Sequence, residues 1–150
     1  MVKQPDEDKV IQEEMLHVVI GGRDVLLRPS QIKEIVRPVA LTTVPMGPDH
    51  LLGLANIHGQ IVCIIDVGKV STMPSPSAHE NSRTRLLILR HPVMHVGIRV
   101  DEVKRIQKVD ASKVTQSMAT ASAGSIVQLE LEGHHYELLD CSRLLHKSSY

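Results

Sequence analysis

The sequence has very few aromatic residues: it contains no tryptophan, no phenylalanine and only two tyrosines, Tyr136 and Tyr150. A module that binds nucleic-acid bases or sugars by stacking needs aromatic faces, so this class of binding protein is nearly excluded. The hydrophobic core must therefore be built from valine, isoleucine, leucine and methionine.

The chain also lacks a net charge, because 17 lysines and arginines balance 17 aspartates and glutamates. Long-range attraction to nucleic acid or to an anionic membrane therefore has no support. The one basic run, between Lys104 and Lys113, contains Asp110 and no aromatic residue, which favours a solvated strand face. We expect protein partners and no nucleic acid.

Cysteine is scarce as well: Cys63 and Cys141 form no Cys-x-x-Cys pair, which argues against a zinc ribbon and a disulfide scaffold. No apolar stretch follows a basic start at the amino terminus, so no secretory signal is predicted. We predict a cytoplasmic protein with no direct membrane insertion.

Histidine is abundant, with nine residues, but its closest groupings are His91 with His95 and His134 with His135, all in predicted turns. Metal sites add carboxylate or thiolate ligands at constrained spacing, and neither grouping has them. We predict no metal and no cofactor.

Short apolar runs separated by turn residues predict an all-β fold with a few short helices. The expected core includes Ile61, Ile64, Ile65, Leu87, Ile98 and Val100. The predicted hairpins pair Leu16–Ile20 with Val25–Leu27, Leu86–Leu89 with Val96–Val100, and Ile126–Leu131 with Tyr136–Leu139; Gln60–Val67 and Val103–Val109 are further strands.

Three segments are predicted to contain helical turns, the last of them capped by Asp140 and burying Leu144 and Leu145. They are Pro29–Val36, part of Pro45–Leu54 with its leucines packed inward, and Cys141–Lys147. Three others are predicted to be irregular because of their charge, proline or small polar residues. These are the charged tail 1–14, the exposed connection 71–85 and the surface loop Ala111–Ser125.

No catalytic constellation is recognisable in the sequence. Asp66 and Asp101 each end an apolar strand, where a carboxylate commonly accepts backbone N–H groups in a turn. The serines belong to no nucleophile motif. We therefore predict no enzymatic activity, and a small β-barrel enzyme or ligand-binding module stays as the alternative from another functional class.

The most specific segment is Gly53–Asp66, in which an Asn-x-x-Gly turn precedes a buried strand that ends in a carboxylate. It resembles the Gly-x-x-Asn-x-Arg-Gly-x-x-x-Pro-x-x-Asp signature of the CheW-like family, the coupling proteins that tie chemoreceptors to the histidine kinase CheA. His58 replaces the usual arginine and Cys63 the usual proline. Weaker matches to the family are Ile32–Ile35, Val96–Asp101 and Leu138–Leu145.

This resemblance implies a fold of two small five-stranded SH3-like barrels that share a hydrophobic core, in a domain over 15–150. It implies a non-catalytic adaptor in a chemosensory complex. Its partners would be the cytoplasmic tip of a methyl-accepting chemoreceptor and the CheW-like regulatory domain of a CheA-type kinase, in membrane-anchored or cytoplasmic receptor arrays. A divergent pathway that controls pili or gliding is the alternative within the same fold.

In the family, the receptor tip lies in the groove between the two barrels. The positions of this chain that match are Ile32, Glu34, Ile35, Asn56, His58 and Gly59. The resemblance implies that Ile32 is an apolar anchor, that Asn56 fixes the turn, and that Glu34 pairs with His58 as it would with arginine. Such a pair depends on pH, because an ordinary imidazole is only partly charged near neutrality.

Overall fold

The computed structural model describes residues 10–120 and 127–146, which form two five-stranded β-sheets and a few short helices. In chain order the strands are β1 Gln12–Ile20, β2 Arg23–Leu27, β3 Ile32–Val36, β4 Leu51–Ile57, β5 Gln60–Ile65, β6 Arg85–Leu89, β7 Val96–Val100, β8 Glu102–Asp110, β9 Val127–Leu131 and β10 His134–Leu138. The helices are α1 Val67–Val70, α2 Ala111–Thr120 and α3 Cys141–His146, with a 3₁₀ turn at Pro29–Gln31.

Each sheet forms one small barrel. Barrel 1 has the strand order β8-β1-β2-β10-β9, and α2 contacts both of its edge strands, β8 and β9. Barrel 2 has the order β3-β6-β7-β5-β4. Each barrel contains one parallel pair, β2 with β10 and β5 with β7, whereas its other neighbouring strands run antiparallel. The predicted fold class and all three predicted hairpins are confirmed.

Three of the hairpins close through two-residue turns in which both residues have positive φ. This backbone geometry matches the right-handed twist of the flanking strands. The turns and their φ angles are Gly21 (57°) with Gly22 (79°), His58 (53°) with Gly59 (84°), and Glu132 (51°) with Gly133 (78°).

Buried side chains form three clusters: one inside each barrel and a larger one between the barrels, which we call the shared core. Alternation along a strand divides the residues among these clusters. On β1, Met15 points into barrel 1 whereas Leu16 joins the shared core. On β5, Ile64 points into barrel 2 whereas Ile65 joins the shared core. The two barrels are therefore held together by the outer faces of their own strands.

Three predictions of local structure were wrong. Only Pro29–Gln31 of the predicted helical segment is a turn of helix, because Ile32–Val36 pairs with β6 as strand β3. Leu51–Ile57 is strand β4 instead of part of a short helix. Ala111–Thr120 is helix α2 instead of loop, and it buries Val114. The rest of that predicted loop, 121–125, lies outside the described residues.

The predicted closing helix is confirmed over Cys141–His146, with Leu144 buried and Asp140 accepting the backbone N–H of Ser142 at 3.1 Å. The side chain of Leu145 lies outside the described part.

The structure describes parts of the two segments that were predicted to be mobile or exposed. Strand β1 begins at Gln12, inside the predicted tail 1–14, whose first nine residues lie outside the described part. The connection 71–85 is irregular up to β6, but Met73 is buried in the shared core. Asp101 also holds this connection, because its carboxylate accepts the backbone N–H of Ser77 at 2.8 Å and that of Gly21 at 2.7 Å.

Five of the six residues expected in the core are fully buried, and Ile61 is the exception, with 56% of its surface exposed. On β5, Val62 and Ile64 face the interior of barrel 2, so Ile61 faces outward. It lies on the same face as Ile65, but beyond the edge of the shared core.

The pair Ile64 and Ile61 provides a test of this strand register. Replacing Ile64 with alanine should lower the free energy of unfolding by about 2–5 kcal/mol, through lost burial and a cavity. Replacing Ile61 with alanine should change it by less than about 0.5 kcal/mol, because the side chain is already exposed. Urea denaturation of both variants measures the difference, and equal losses would contradict the register.

Candidate functional site at the edges of barrel 2

The candidate site lies where the two edge strands of barrel 2 meet. Strands β3 and β4 are the edges of the sheet, and the turn that follows β4 reaches back to β3. There the Nε2 atom of His58 lies 2.6 Å from Oε1 of Glu34. The predicted pair is confirmed, and it connects the two edges of the sheet through side chains.

The turn that carries His58 is fixed by its own side chains. Oδ1 of Asn56 accepts the backbone N–H of Gly59 at 2.9 Å, as predicted for this asparagine. A Cβ atom at Gly59 would meet nothing within 4 Å, so glycine is needed there for its φ of 84° and not for space. His58 adopts a φ of 53°, which is strained for a residue with a side chain.

Strand β3 exposes a different isoleucine from the one expected. Ile32 is only 8% exposed and packs in the shared core, so it supports the surface from below and presents no anchor. A register shift between Ile32 and Glu34 changes the alternation, and Ile35 is 43% exposed. The structure thus brings Glu34, Ile35, Asn56, His58 and Gly59 to the surface, with Ile32 beneath them.

Sequence reasoning missed that Ile61 belongs to this surface. Ile61 lies directly opposite Asn56 in the β4–β5 ladder and points outward. Because side chains alternate between the two faces of a strand, the buried Val62 places Ile61 on the exposed face. The sequence does not show this alternation clearly, because five nearly consecutive residues there are apolar. The exposed apolar surface near the turn is therefore wider than the matched positions indicate.

The carboxylates at strand ends bind backbone groups. Asp66 accepts the N–H of Gly68 at 2.8 Å, as expected for the turn after β5. Asp101 instead holds two other segments, as described above.

Burial and, to a smaller degree, the charge of Asp140 raise the pKa of the Cys141 thiol to about 12, so this cysteine stays protonated and unreactive. No group of three or more potential metal ligands occurs among the described residues.

Comparison with known proteins identifies the family. The sequence model of the CheW-like domain matches residues 14–149. The chain belongs to the CheW-like domain family. It is 28% identical to the chemotaxis protein CheW of Helicobacter pylori over 120 residues, which cover 78% of this chain and 70% of that protein. It is 23% identical to CheW of Bacillus subtilis over 141 residues, covering 91% and 89%.

The fold is also similar to a crystal structure of the scaffolding protein TtCheW from Thermoanaerobacter tengcongensis, with a TM-score of 0.68. Sequence identity is 15%, and the match covers 85% of this chain and 88% of that one. Membership of the family makes the chain a non-catalytic chemotaxis adaptor. Among the residues that the structure describes, no helix has the length and apolar character to span a membrane.

A second polar cluster lies on barrel 1 and links three of its strands. The carboxylate of Asp24 on β2 lies 2.7 Å from Nε2 of His17 on β1 and 2.9 Å from Nε2 of His134 on β10. Partial burial tends to raise the pKa of Asp24, but the hydrogen bonds to the two histidines outweigh this and leave the pKa lowered. Ionised Asp24 thus stabilises the junction of β1, β2 and β10.

Because the pKa of Asp24 is lowered by folding, its contribution is present above the unfolded pKa, about 4, and is lost as the pH falls through the folded value. Asp24→Asn should therefore lower stability at pH 7 by about 1–2 kcal/mol, and by less as the pH falls below about 4. Asp49→Asn is the control, because Asp49 is exposed and forms only a 3.5 Å pair with Lys69. Urea denaturation across this pH range measures both variants, and a pH-independent difference would contradict the assignment.

The strain at His58 can be separated from its ion pair. His58→Gly removes the conformational penalty of a positive φ, which is about 1–2 kcal/mol. The glycine also raises the conformational entropy of the unfolded chain, which lowers stability by about 0.4–1 kcal/mol. In a Glu34→Ala background we therefore expect His58→Gly to raise the free energy of unfolding by about 0.5–1 kcal/mol. In the wild-type background the gain should be smaller by the energy of the pair, about 0–1 kcal/mol, because His58 is 73% and Glu34 36% exposed. Chemical denaturation of the four proteins measures this coupling, and equal gains would mean that the pair contributes nothing.

Proposed function

We propose that the chain couples the cytoplasmic tip of a chemoreceptor to the CheW-like regulatory domain of a CheA-type histidine kinase. The observation that carries this proposal is the contact of His58 with Glu34 beside the exposed Ile35. These residues occupy the positions that match the family's receptor-binding region. No cofactor takes part.

The surface suits the receptor tip, an antiparallel pair of helices, for a physical reason. A helix pair presents apolar side chains flanked by polar ones, and here Ile35 and Ile61 lie near an asparagine, a glutamate and a histidine. Exposed isoleucines among polar groups supply burial energy at the centre of such a contact and hydrogen bonds around it. The receptor-facing region in this proposal comprises Glu34, Ile35, Asn56, His58 and Gly59, supported by Ile32.

Coupling follows from the way the two barrels are joined. Ile32 lies beneath the proposed receptor surface and is also part of the shared core, so a force on β3 acts on the side chains between the barrels. A kinase domain bound elsewhere on the same compact body is then held in a defined orientation relative to the receptor. The adaptor acts by scaffolding, and changes in receptor packing reach the kinase as changes in position or freedom.

The pathway is a separate question from the mode of action. An adaptor for pili or gliding would use the same fold and stays as the alternative, which the replacements at His58 and Cys63 would suit. In either pathway we place the protein in the cytoplasm, associated with receptor arrays through its partners.

The proposal predicts that a charge at Ile35 impairs receptor binding selectively. Ile35→Lys should weaken binding of a receptor signalling-tip peptide by about tenfold or more, because the lysine introduces an unpaired charge into an apolar contact. Ile11→Lys is the control, because Ile11 is also an exposed isoleucine, at 72% against 43% for Ile35, but lies on barrel 1, where its carbonyl accepts the N–H of Ala111 at the start of α2.

Binding is measured by titration calorimetry with the tip peptide and, separately, with the CheA regulatory domain. Kinase-domain binding should change less than about threefold in both variants. Normal tip binding by Ile35→Lys would place the receptor surface elsewhere, and failure of the wild-type protein to bind either partner would refute the proposed function.

A further inference from the structure

The loop between β6 and β7 is held by an imidazole that acts as a hydrogen-bond acceptor. Nδ1 of His91 lies 3.0 Å from the backbone nitrogen of Val93 and 2.8 Å from that of Met94. Backbone N–H groups can only donate, so Nδ1 must be unprotonated and the neutral ring must carry its proton on Nε2. This capped loop conformation therefore requires an uncharged His91.

The ends of the loop are attached independently of His91. At one end, the backbone N–H of Arg90 donates to the carbonyl of Gln31 at 2.8 Å. At the other, the carbonyl of His95 accepts the N–H of Cys63 at 3.0 Å. The His91 ring thus holds the middle of the loop, whereas backbone bonds attach its ends to the 3₁₀ turn before β3 and to β5.

The two residues whose backbone N–H groups form the cap carry apolar side chains. Val93 is 75% exposed, whereas Met94 is partly buried and packs against the shared core. The loop also borders β5, because Gln60 contacts His95 at 3.0 Å and Ile61 is the next residue. A change in the loop therefore changes the apolar surface beside the candidate site.

The charged and titratable groups around the loop give a protonated His91 no compensation. The neighbouring Arg90 is a cation whose guanidinium donates to the carbonyls of Ser30 and Ile32. His95 can only add positive charge. Within 10–120 and 127–146, no carboxylate forms an ion pair with His91. Protonation would place an N–H on Nδ1 against two backbone N–H donors, so both cap bonds would be lost.

We propose that His91 is a proton-controlled latch on this loop: the neutral ring holds Val93 and Met94 in the capped conformation, and protonation releases them. Release lets Met94 leave the shared core and makes the apolar surface next to β5 mobile. The latch itself is a property of the chain alone, and only its effect on partners rests on the proposed function.

Nuclear magnetic resonance of the full chain without partners tests the latch between pH 8 and pH 5.5. We expect an unprotonated Nδ1 and a protonated Nε2 on His91 at pH 8. The amide resonances of Val93 and Met94 should then shift along the same titration curve as the ring. Their protection from hydrogen exchange, normalised for the intrinsic pH dependence, should fall about fivefold or more.

Three variants make the test specific. In His91→Asn, the side-chain oxygen can accept the same two N–H groups at every pH, so both amides should stay protected throughout. In His91→Ala they should be released throughout. His135→Asn, which changes an exposed histidine on barrel 1, should titrate at Val93 and Met94 like the wild type.

A ring that carries its neutral-form proton on Nδ1, or amides that do not move as the ring titrates, would overturn the latch. A failure of partner binding would refute the proposed function but leave these spectra unchanged, so the two proposals fail separately.

Discussion

The structure depends on the two-residue period of the β-strand, which lets one strand contribute to two cores. Because successive side chains point to opposite faces, Met15 fills barrel 1 while Leu16 packs between the barrels, and Ile64 and Ile65 divide in the same way in barrel 2. The barrels cannot move apart without exposing residues of strands that also close their own interiors. A slip of one residue would exchange the two sets of side chains, so the shared core also fixes the register.

The edges of barrel 2 are joined in a different way from those of barrel 1. Barrel 1 is closed by α2, which contacts both of its edge strands. The edges of barrel 2 are connected at the candidate site by the side chains of Glu34 and His58, and the latter occupies a strained backbone conformation. A contact of exposed side chains is weak and easily rearranged. A partner that binds there can change the barrel's edges without disturbing its cores, which is useful in a protein that transmits a signal without chemistry.

The sequence was informative where one local rule decides the structure, and misleading where packing does. Turn residues between apolar runs predicted the three hairpins, and the family resemblance predicted that Asn56 fixes its turn, which it does through its bond to Gly59. Strand β4 was missed because the leucines of Pro45–Leu54 were interpreted as the buried side of a short helix. A Cβ at Gly53 would lie 3.0 Å from the carbonyl of Thr42, so glycine permits a close approach within a strand. Helix α2 was missed because only Val114 and Met118, one helical turn apart, mark its buried side.

The exchange of Ile32 for Ile35 as the exposed residue of β3 shows why a site is harder to predict than a fold. A motif fixes which residues lie close together, but a single register shift, here between Ile32 and Glu34, decides which of them reaches solvent. The same shift places Ile32 in the shared core directly below the surface that it was expected to form. This arrangement has a functional advantage for an adaptor. The exposed Ile35 can be replaced by another residue to suit a partner without disturbing the core. Ile32, three residues away, is packed between the two barrels and keeps the surface in a fixed position relative to the rest of the molecule.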